Sequence, residues 1–371
     1  MISHGHWDRK DVERIDLERA PASPIIARSC PLLSGVDLWD YWPVQFSDGH
    51  PAHISGGTLF IALSAPFHPD PDGRHSVARL RLLLRKGEHW QDLGLLLPSD
   101  FSPGSREWSG SAILSSDRKS ITLYYTAAGV RGEATVGFLQ TIHGTRASLD
   151  DDGASPSLSA WSEPTRILVP DGDWYATDMI GGGAVGTIKA FRDPGYFRDP
   201  ADGKEYLLFA ASLARSTSPW NGAVGIAQRT ADERWELLPP LFDADGVNNE
   251  LERPHIVARE GLYYLFWSTQ GKVFADGLVA PTGLYGMVAD TLFGPWRPIN
   301  GSGLVFGNPP GAPFQAYSWL VLPTLCVQSF ADLVGLAGPP ADVSQARAHF
   351  AGTPAPELQL ALDGDRAWLV R

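Results

Sequence analysis

An all-β fold, a five-bladed β-propeller around a central funnel, is what this sequence predicts. Three observations predict it: an internal repeat of four short strands, dense aromatic and Gly/Pro punctuation, and a polar cluster at the start of each repeat. The repeat is clearest from Asp193, where strand-like runs at 205–209, 222–227 and 235–238 follow one another. The same order returns after Arg253, at 254–257, 262–266, 283–288 and 296–298. Looser copies begin at Trp39-Asp40 (58–63, 78–84, 90–97) and at Trp108-Ser109 (121–126, 136–141, 161–168), and a fifth begins at Tyr317-Ser318. A four-stranded blade must bury both faces against its neighbours, which is why each run is short, β-branched or aromatic, and bounded by turn residues. A β-sandwich has similar strand density but gives no reason for a polar start to every unit.

The composition agrees. In 371 residues there are 13 Trp, 39 Gly and 30 Pro, with 43% hydrophobic and 19% charged residues, a mixture suited to strands and tight turns. One closed β-fold can span this length, so residues 1–371 are expected to form a single domain, with residues 1–30 an N-terminal extension packing on the propeller. The net charge of -12 excludes a polyanionic partner, because nucleic acids are held by clustered Lys and Arg. Cys30 and Cys326 alone make neither a disulfide framework nor a zinc site. No apolar stretch approaches a membrane span, and residues 1–19 lack the basic start and apolar run of a secretory signal.

In a propeller the innermost strand of each blade lines the channel, so Asp40, Ser109, Asp193, Glu252 and Tyr317 are expected to meet there. Two carboxylates facing one pocket are the minimum for glycosidic chemistry, one attacking the anomeric carbon and one protonating the leaving oxygen. Trp39, Trp42 and Trp108 offer flat faces for sugar C–H groups, and Arg192 and Arg253 offer forks of donors. Plainer readings stand beside these. Asp193-Pro194 and Asp199-Pro200 read equally as turn initiators, Arg192-Asp193 as a local ion pair, and Glu252-Arg253 as a strand-edge pair. Asp40, set between Trp39 and Tyr41-Trp42-Pro43, is a poor candidate for a surface acid. Ser109 lacks the spacing of a nucleophile elbow and reads as a hydroxyl donor. The run Gly181–Gly186 lacks the Lys-Ser/Thr of a phosphate loop, Asp150-Asp151-Asp152-Gly153 lacks the other ligands of a calcium loop, and the ten His show no metal spacing. Tyr263, Tyr264, Phe266 and Trp267 read as core.

Taken together, Leu38-Trp39-Asp40-Tyr41-Trp42-Pro43-Val44-Gln45, Glu107-Trp108-Ser109-Gly110-Ser111, Phe191-Arg192-Asp193-Pro194, Glu252-Arg253-Pro254-His255, Asn300-Gly301-Ser302-Gly303-Leu304-Val305 with Gly307-Asn308-Pro309, and Gln315-Ala316-Tyr317-Ser318 form a specific pattern. On these motifs the chain resembles glycoside hydrolase family 68, the levansucrases, inulosucrases and bacterial β-fructofuranosidases, in its Gram-negative form. The resemblance implies a five-bladed propeller with Asp40 as nucleophile, Asp193 as the carboxylate that holds fructosyl hydroxyls, and Glu252 as acid/base. It implies that Trp39, Trp108, Ser109, Arg192, Arg253 and Tyr317 line a sucrose site. The acceptor side departs from the family pattern: Asn249-Glu250-Leu251 stands where relatives usually show Asp-Gln-Thr, and Gln270 stands where they commonly carry His or Arg. The implied activity is fructosyl transfer from sucrose to a sugar, a fructan or water, with no cofactor and no metal. The alternatives are a hydrolase of sucrose, fructans or arabinan-like furanosides, and, in another class, a non-catalytic carbohydrate-binding propeller. The resemblance also leaves extracellular export by a non-standard route beside a periplasmic or cytoplasmic place.

Overall fold

A computed structural model of the chain describes residues 5–17, 21–25, 31–151, 155–177, 187 and 189–370. The glycine run 181–186 and residues 152–153 of the acidic turn, like Cys30, lie outside the described residues. The fold is all-β. Its antiparallel runs follow the chain: Val36–Gln45, Gly57–Pro66, Arg79–Lys86 and His89–Leu95 pair in succession, as do Arg106–Leu114, Ser120–Ala128 and Gln140–Asp150. A third run is Phe191–Arg198, Glu205–Ser212, Gly222–Arg229 and Trp235–Asp243. A fourth starts with Glu252–Arg259, Leu262–Thr269 and Gly283–Ala289, and a fifth with Ala316–Val321 and Cys326–Leu333.

Hydrogen bonding gathers these runs into four sheets, of ten, five, five and five strands. The first two runs share the ten-stranded sheet because Val44 and Gln45 pair in parallel with Ala112 and Ile113. Another parallel pair joins Gly5–His6 to the outer strand Trp235–Asp243, and Trp7 beyond it is fully buried, its indole donating to the Ser302 carbonyl at 2.9 Å. Two element assignments differ from the sequence reading. The third strand of the second run is Gln140–Asp150 rather than 136–141, since Val136 and Leu139 are exposed, and the strands that follow and pair with it are Ser157–Ser159 and Thr165–Leu168. The fifth run adds Phe350–Pro354, Leu358–Asp363 and Arg366–Leu369, which the sequence pattern did not resolve.

The opening strands pack on one another in chain order, Val36–Gln45 against Arg106–Leu114, then Phe191–Arg198, Glu252–Arg259 and Ala316–Val321. The circuit closes where Val36–Gln45 meets Cys326–Leu333 and Phe350–Pro354. Apolar cores lie between successive runs, such as the cluster of Trp7, Trp267, Phe242 and Tyr285 and that of Tyr175, Phe191 and Phe209.

One irregularity recurs in every opening strand. Leu38 and Tyr41 face Ser64 and Ala62, Arg192 and Gly195 face Ala210 and Leu208, Glu252 and His255 face Ser268 and Phe266, and Tyr317 and Leu320 face Phe330 and Gln328. Trp108 and Gly110 face Thr126 and Tyr125. Each opening strand therefore holds one residue more than its partner, a β-bulge, which turns side chains that a regular pleat would point into the layers. Asp193, Arg253 and Ser318 occupy the same bulge position, with φ of 60°, 50° and 60°, the left-handed region that costs a non-glycine residue of order 1 kcal/mol. At Gly110 a Cβ would lie 1.9 Å from the Tyr124 carbonyl oxygen, so this bulge accepts only glycine.

Candidate active site

The five bulges bring the sequence-predicted residues together. Ser109 donates from Oγ to Asp40 Oδ2 at 2.6 Å, linking the first and second runs. Arg192 donates from Nη2 to Glu252 Oε1 at 3.0 Å and to Glu250 Oε1, and its Nε lies 3.7 Å from Asp193 Oδ2. Tyr317 donates its hydroxyl to Glu252 Oε2. Arg192, Glu252 and Tyr317 hold equivalent positions in three successive opening strands, the last residue before the bulge. Their side chains accordingly form one hydrogen-bonded arc. The local Arg192-Asp193 pair is thus present, beside the contacts of Arg192 with Glu250 and Glu252.

The three acids are not at equivalent positions. Glu252 precedes its bulge, Asp193 is the first bulge residue and Asp40 the second, so they sit at three staggered levels. Asp193 nonetheless feels the charges of both Glu252 and Asp40. Burial, reinforced by these two acids, outweighs Arg192 and pushes the Asp193 carboxyl up to about 7. Burial and the charge of Glu252 likewise raise Glu250 to about 7 against the pull of Arg192. Burial works against the charge of Arg192, but Glu250, Glu252 and Asp193 around it overcome this and hold the guanidinium above its ordinary range. Burial also raises the Tyr317 phenol, so its hydroxyl keeps the proton that it donates to Glu252. Asp40 and Glu252 are partly exposed, whereas Asp193, Arg192 and Glu250 are buried. Asp40 and Glu252 are the two acids that a ligand can reach from solvent.

Such an arrangement, two accessible carboxylates above a third acid fixed beside a guanidinium, is suited to double displacement at an acetal carbon. A family model described as Levansucrase/Invertase matches residues 3–221 and 216–371. The chain belongs to glycoside hydrolase family 68. Among curated members of this family, levansucrase LscA of Pseudomonas savastanoi pv. glycinea is 33% identical over 98% of this chain and 93% of that protein. The levansucrase of Rahnella aquatilis is also 33% identical, over 98% of this chain and 94% of its own length. Among solved structures, an inulosucrase from Halalkalicoccus jeotgali bound to kestose superposes with a TM-score of 0.90 at 37% identity, covering 99% of this chain and 95% of that one. The levansucrase of Gluconacetobacter diazotrophicus, 22% identical with a TM-score of 0.83 over 100% of this chain and 90% of that one, shares the fold.

Two sequence expectations for this family 68 chain need correction. Arg253 does not extend a free fork to ligand. It donates from Nη1 to the Ser318 hydroxyl (2.9 Å) and carbonyl (3.1 Å) and from Nη2 to the Tyr41 carbonyl (3.1 Å), tying the fourth, fifth and first runs together. Trp42, expected as a sugar-facing ring, is buried with the Arg253 guanidinium 5.6 Å from its centroid. Trp39 is buried too, with Arg74 5.5 Å over its ring and His75 edge-on at 5.7 Å, and of the three rings Trp108 keeps partial exposure. Gln270 is half-buried at the N-cap of the short helix Gly271–Val273 and makes no side-chain cap.

The sequence reading missed Gln140. Its Oε1 accepts from Arg192 Nη1 (3.2 Å) and from the Phe191 amide (3.1 Å), which steers the guanidinium toward the acids. A lone Gln in a strand carries no sequence signal for that duty. Among the described residues no group of three His, Cys, Asp or Glu is arranged to hold a metal ion, and no helix is long and apolar enough to cross a membrane.

Proposed function

We propose that this chain is a retaining β-fructosyltransferase that cleaves sucrose and passes the fructosyl group to a sugar, a fructan or water. The fold that serves it is read as a five-bladed propeller, each bulged strand opening a blade and the whole described chain forming one catalytic domain with its N-terminal segment packed on the outside. The observation that carries the reading is the hydrogen-bonded set of Ser109 on Asp40 and of Arg192 and Tyr317 on Glu252, with Asp193 between them. Membership of family 68 and relatives named levansucrase and inulosucrase support it.

In the first step an oxygen of Asp40 bonds to the anomeric carbon of the fructosyl unit. The bond from that carbon to the glucosyl oxygen breaks, and the oxygen takes the proton of Glu252. Ser109 holds Oδ2, which orients the other Asp40 oxygen for attack. Asp193 receives fructosyl hydroxyls and favours the positive charge that develops on the ring. In the second step an acceptor hydroxyl gives its proton to Glu252 and bonds to the anomeric carbon as Asp40 departs. Arg192 and Tyr317 direct the Glu252 carboxyl in both steps. A lectin needs neither a directed acid/base nor a second acid on the opposite wall, and would more naturally repeat one motif in every blade.

Incubation of wild type and Asp40→Ala with sucrose, with glucose and fructose followed separately, tests this. Glucose release by wild type, lost by at least about 10⁴-fold in the variant, is expected. Wild type that releases neither sugar would refute the sucrose assignment.

A further inference from the structure

The register that aligns the opening strands also aligns the strands after them. Ser268 faces Glu252 and Phe330 faces Tyr317, so Gln270 in the fourth run and Asp332 in the fifth occupy one position, two residues further toward the loops. Two strand residues span about 7 Å, roughly one sugar ring beyond the level of Glu252 and Tyr317. Asp332 is half-buried there. Its amide donates to the Gln315 carbonyl at 2.9 Å, while its carboxylate makes no hydrogen bond or ion pair with the described residues. It lies within the electrostatic reach of Arg74, Asp72, Lys272 and Asp40.

The surroundings fix where this carboxylate stands. Arg74 lies between the rings of Trp39 and Phe350, at 5.5 and 4.6 Å, and Phe350 pairs with Leu333, the neighbour of Asp332. Asp332 therefore continues the wall that begins at Trp39, next to Asp40. Lys272, exposed two residues after Gln270, extends its charge to Glu250, His75 and Asp332. An acceptor-only group and a donor-only group thus border the mouth, and a sugar hydroxyl can serve both.

We propose that Asp332 is a specificity-determining carboxylate which, with Lys272, binds hydroxyls of the sugar unit adjacent to the fructosyl group held at Asp40. The inference rests on the fructosyl-transfer reading. A half-buried carboxylate without a donor among the described residues has lone pairs to fill, and desolvation pushes Asp332 up to about 6. A saccharide acceptor fills them with preorganised hydroxyls and so competes with water for the fructosyl intermediate. In sucrose that adjacent unit is the glucosyl group, so the sucrose KM depends on Asp332 as well, whereas the bond-breaking groups, the acids, Ser109 and Arg192, sit one level deeper and set the rate at saturating sucrose.

The test compares wild type, Asp332→Asn and Asp332→Ala with sucrose alone and with added saccharide acceptor, reading initial glucose release and the ratio of free fructose to glucose. The expected result is glucose release at saturating sucrose within about threefold of wild type, a higher free-fructose share, and an acceptor KM raised at least about tenfold, the loss of one charged hydrogen bond. The isosteric Asn variant decides if the Ala variant does not fold. An unchanged product ratio and acceptor KM in Asn would overturn this inference alone, as would glucose release falling with the ratio fixed, which marks a scaffold role. Wild type that gives equal glucose and fructose at every acceptor concentration also overturns it. Wild type that releases no glucose overturns the sucrose reading and this inference with it.

Discussion

Replacing Asp193 by Asn should make the protein more stable at neutral pH while disabling it. Asp193 is 7% exposed and its carboxyl is raised from 3.8 to about 7, mainly by burial. A carboxyl raised on folding contributes stability that is complete below its unfolded value, near 4, and is lost as the pH rises through the folded value near 7. Above that point the buried charge is a standing cost. A shift of about three units at 1.36 kcal/mol each sets a ceiling of ~4 kcal/mol. Arg192 at 3.7 Å loses an anionic neighbour in the variant, and Glu250 and Glu252 share the same field, so about 1–3 kcal/mol remains at pH 8. For 371 residues the unfolding entropy is ~0.8 kcal/mol/K, which converts that gain to roughly 1–4 °C in Tm. Denaturation of wild type and Asp193→Asn by urea or heat at pH 8 and pH 4.5 measures it. The gain should shrink to below about one third at pH 4.5, where little of the titration has occurred. Sucrose cleavage should fall by roughly 10²–10³-fold, the scale of losing one electrostatic contact to the transition state. Equal or lower stability of the variant at pH 8, or a gain independent of pH, would refute the burial argument.

Two further substitutions separate function from scaffold. Ser109→Ala removes the 2.6 Å hydrogen bond to Asp40 and should lower kcat by about 10–100-fold with little change in Tm, and a kcat within twofold of wild type would count against the orienting role. Arg253→Ala leaves Ser318 and the Tyr41 carbonyl without their donor and should cost about 2–4 kcal/mol by urea denaturation, a result that a ligand-binding arginine at the surface would not give.

Much of this was legible because each antiparallel run is a local object. Polar residues recurring at the head of each run, Trp39-Asp40, Trp108-Ser109, Arg192-Asp193, Glu252-Arg253 and Tyr317-Ser318, mark where the opening strands meet even though they are far apart in the chain. What could not be read was register. Arg192 and Arg253 both adjoin an acid, yet one precedes its bulge and meets the acids while the other lies on its bulge and braces the neighbouring runs. A single extra residue decides between those fates, and period-two patterning cannot count it. The misplaced strand in the second run has a simpler cause: Val136 and Leu139 are apolar but exposed, so hydrophobicity pointed to loop residues. Gln140 acts through Phe191 and Arg192, far away in sequence, and a lone Gln in a strand does not announce a site.

The parallel pairing of Gly5–His6 with Phe242 and Asp243 has a consequence for the order in which the chain can fold. His6 meets a partner 237 residues later, and Trp7 donates to a carbonyl 295 residues later. At ribosomal rates of 5–20 residues per second those partners emerge roughly 12–60 s after the segment that needs them. Through that interval a tryptophan destined for the core waits in solvent while other runs form around their own cores. A piece made well before its partners therefore settles only once the third run has emerged, and because it is already waiting when Trp235–Asp243 appears, that outer edge can be covered as soon as it forms, before a second nascent chain pairs there.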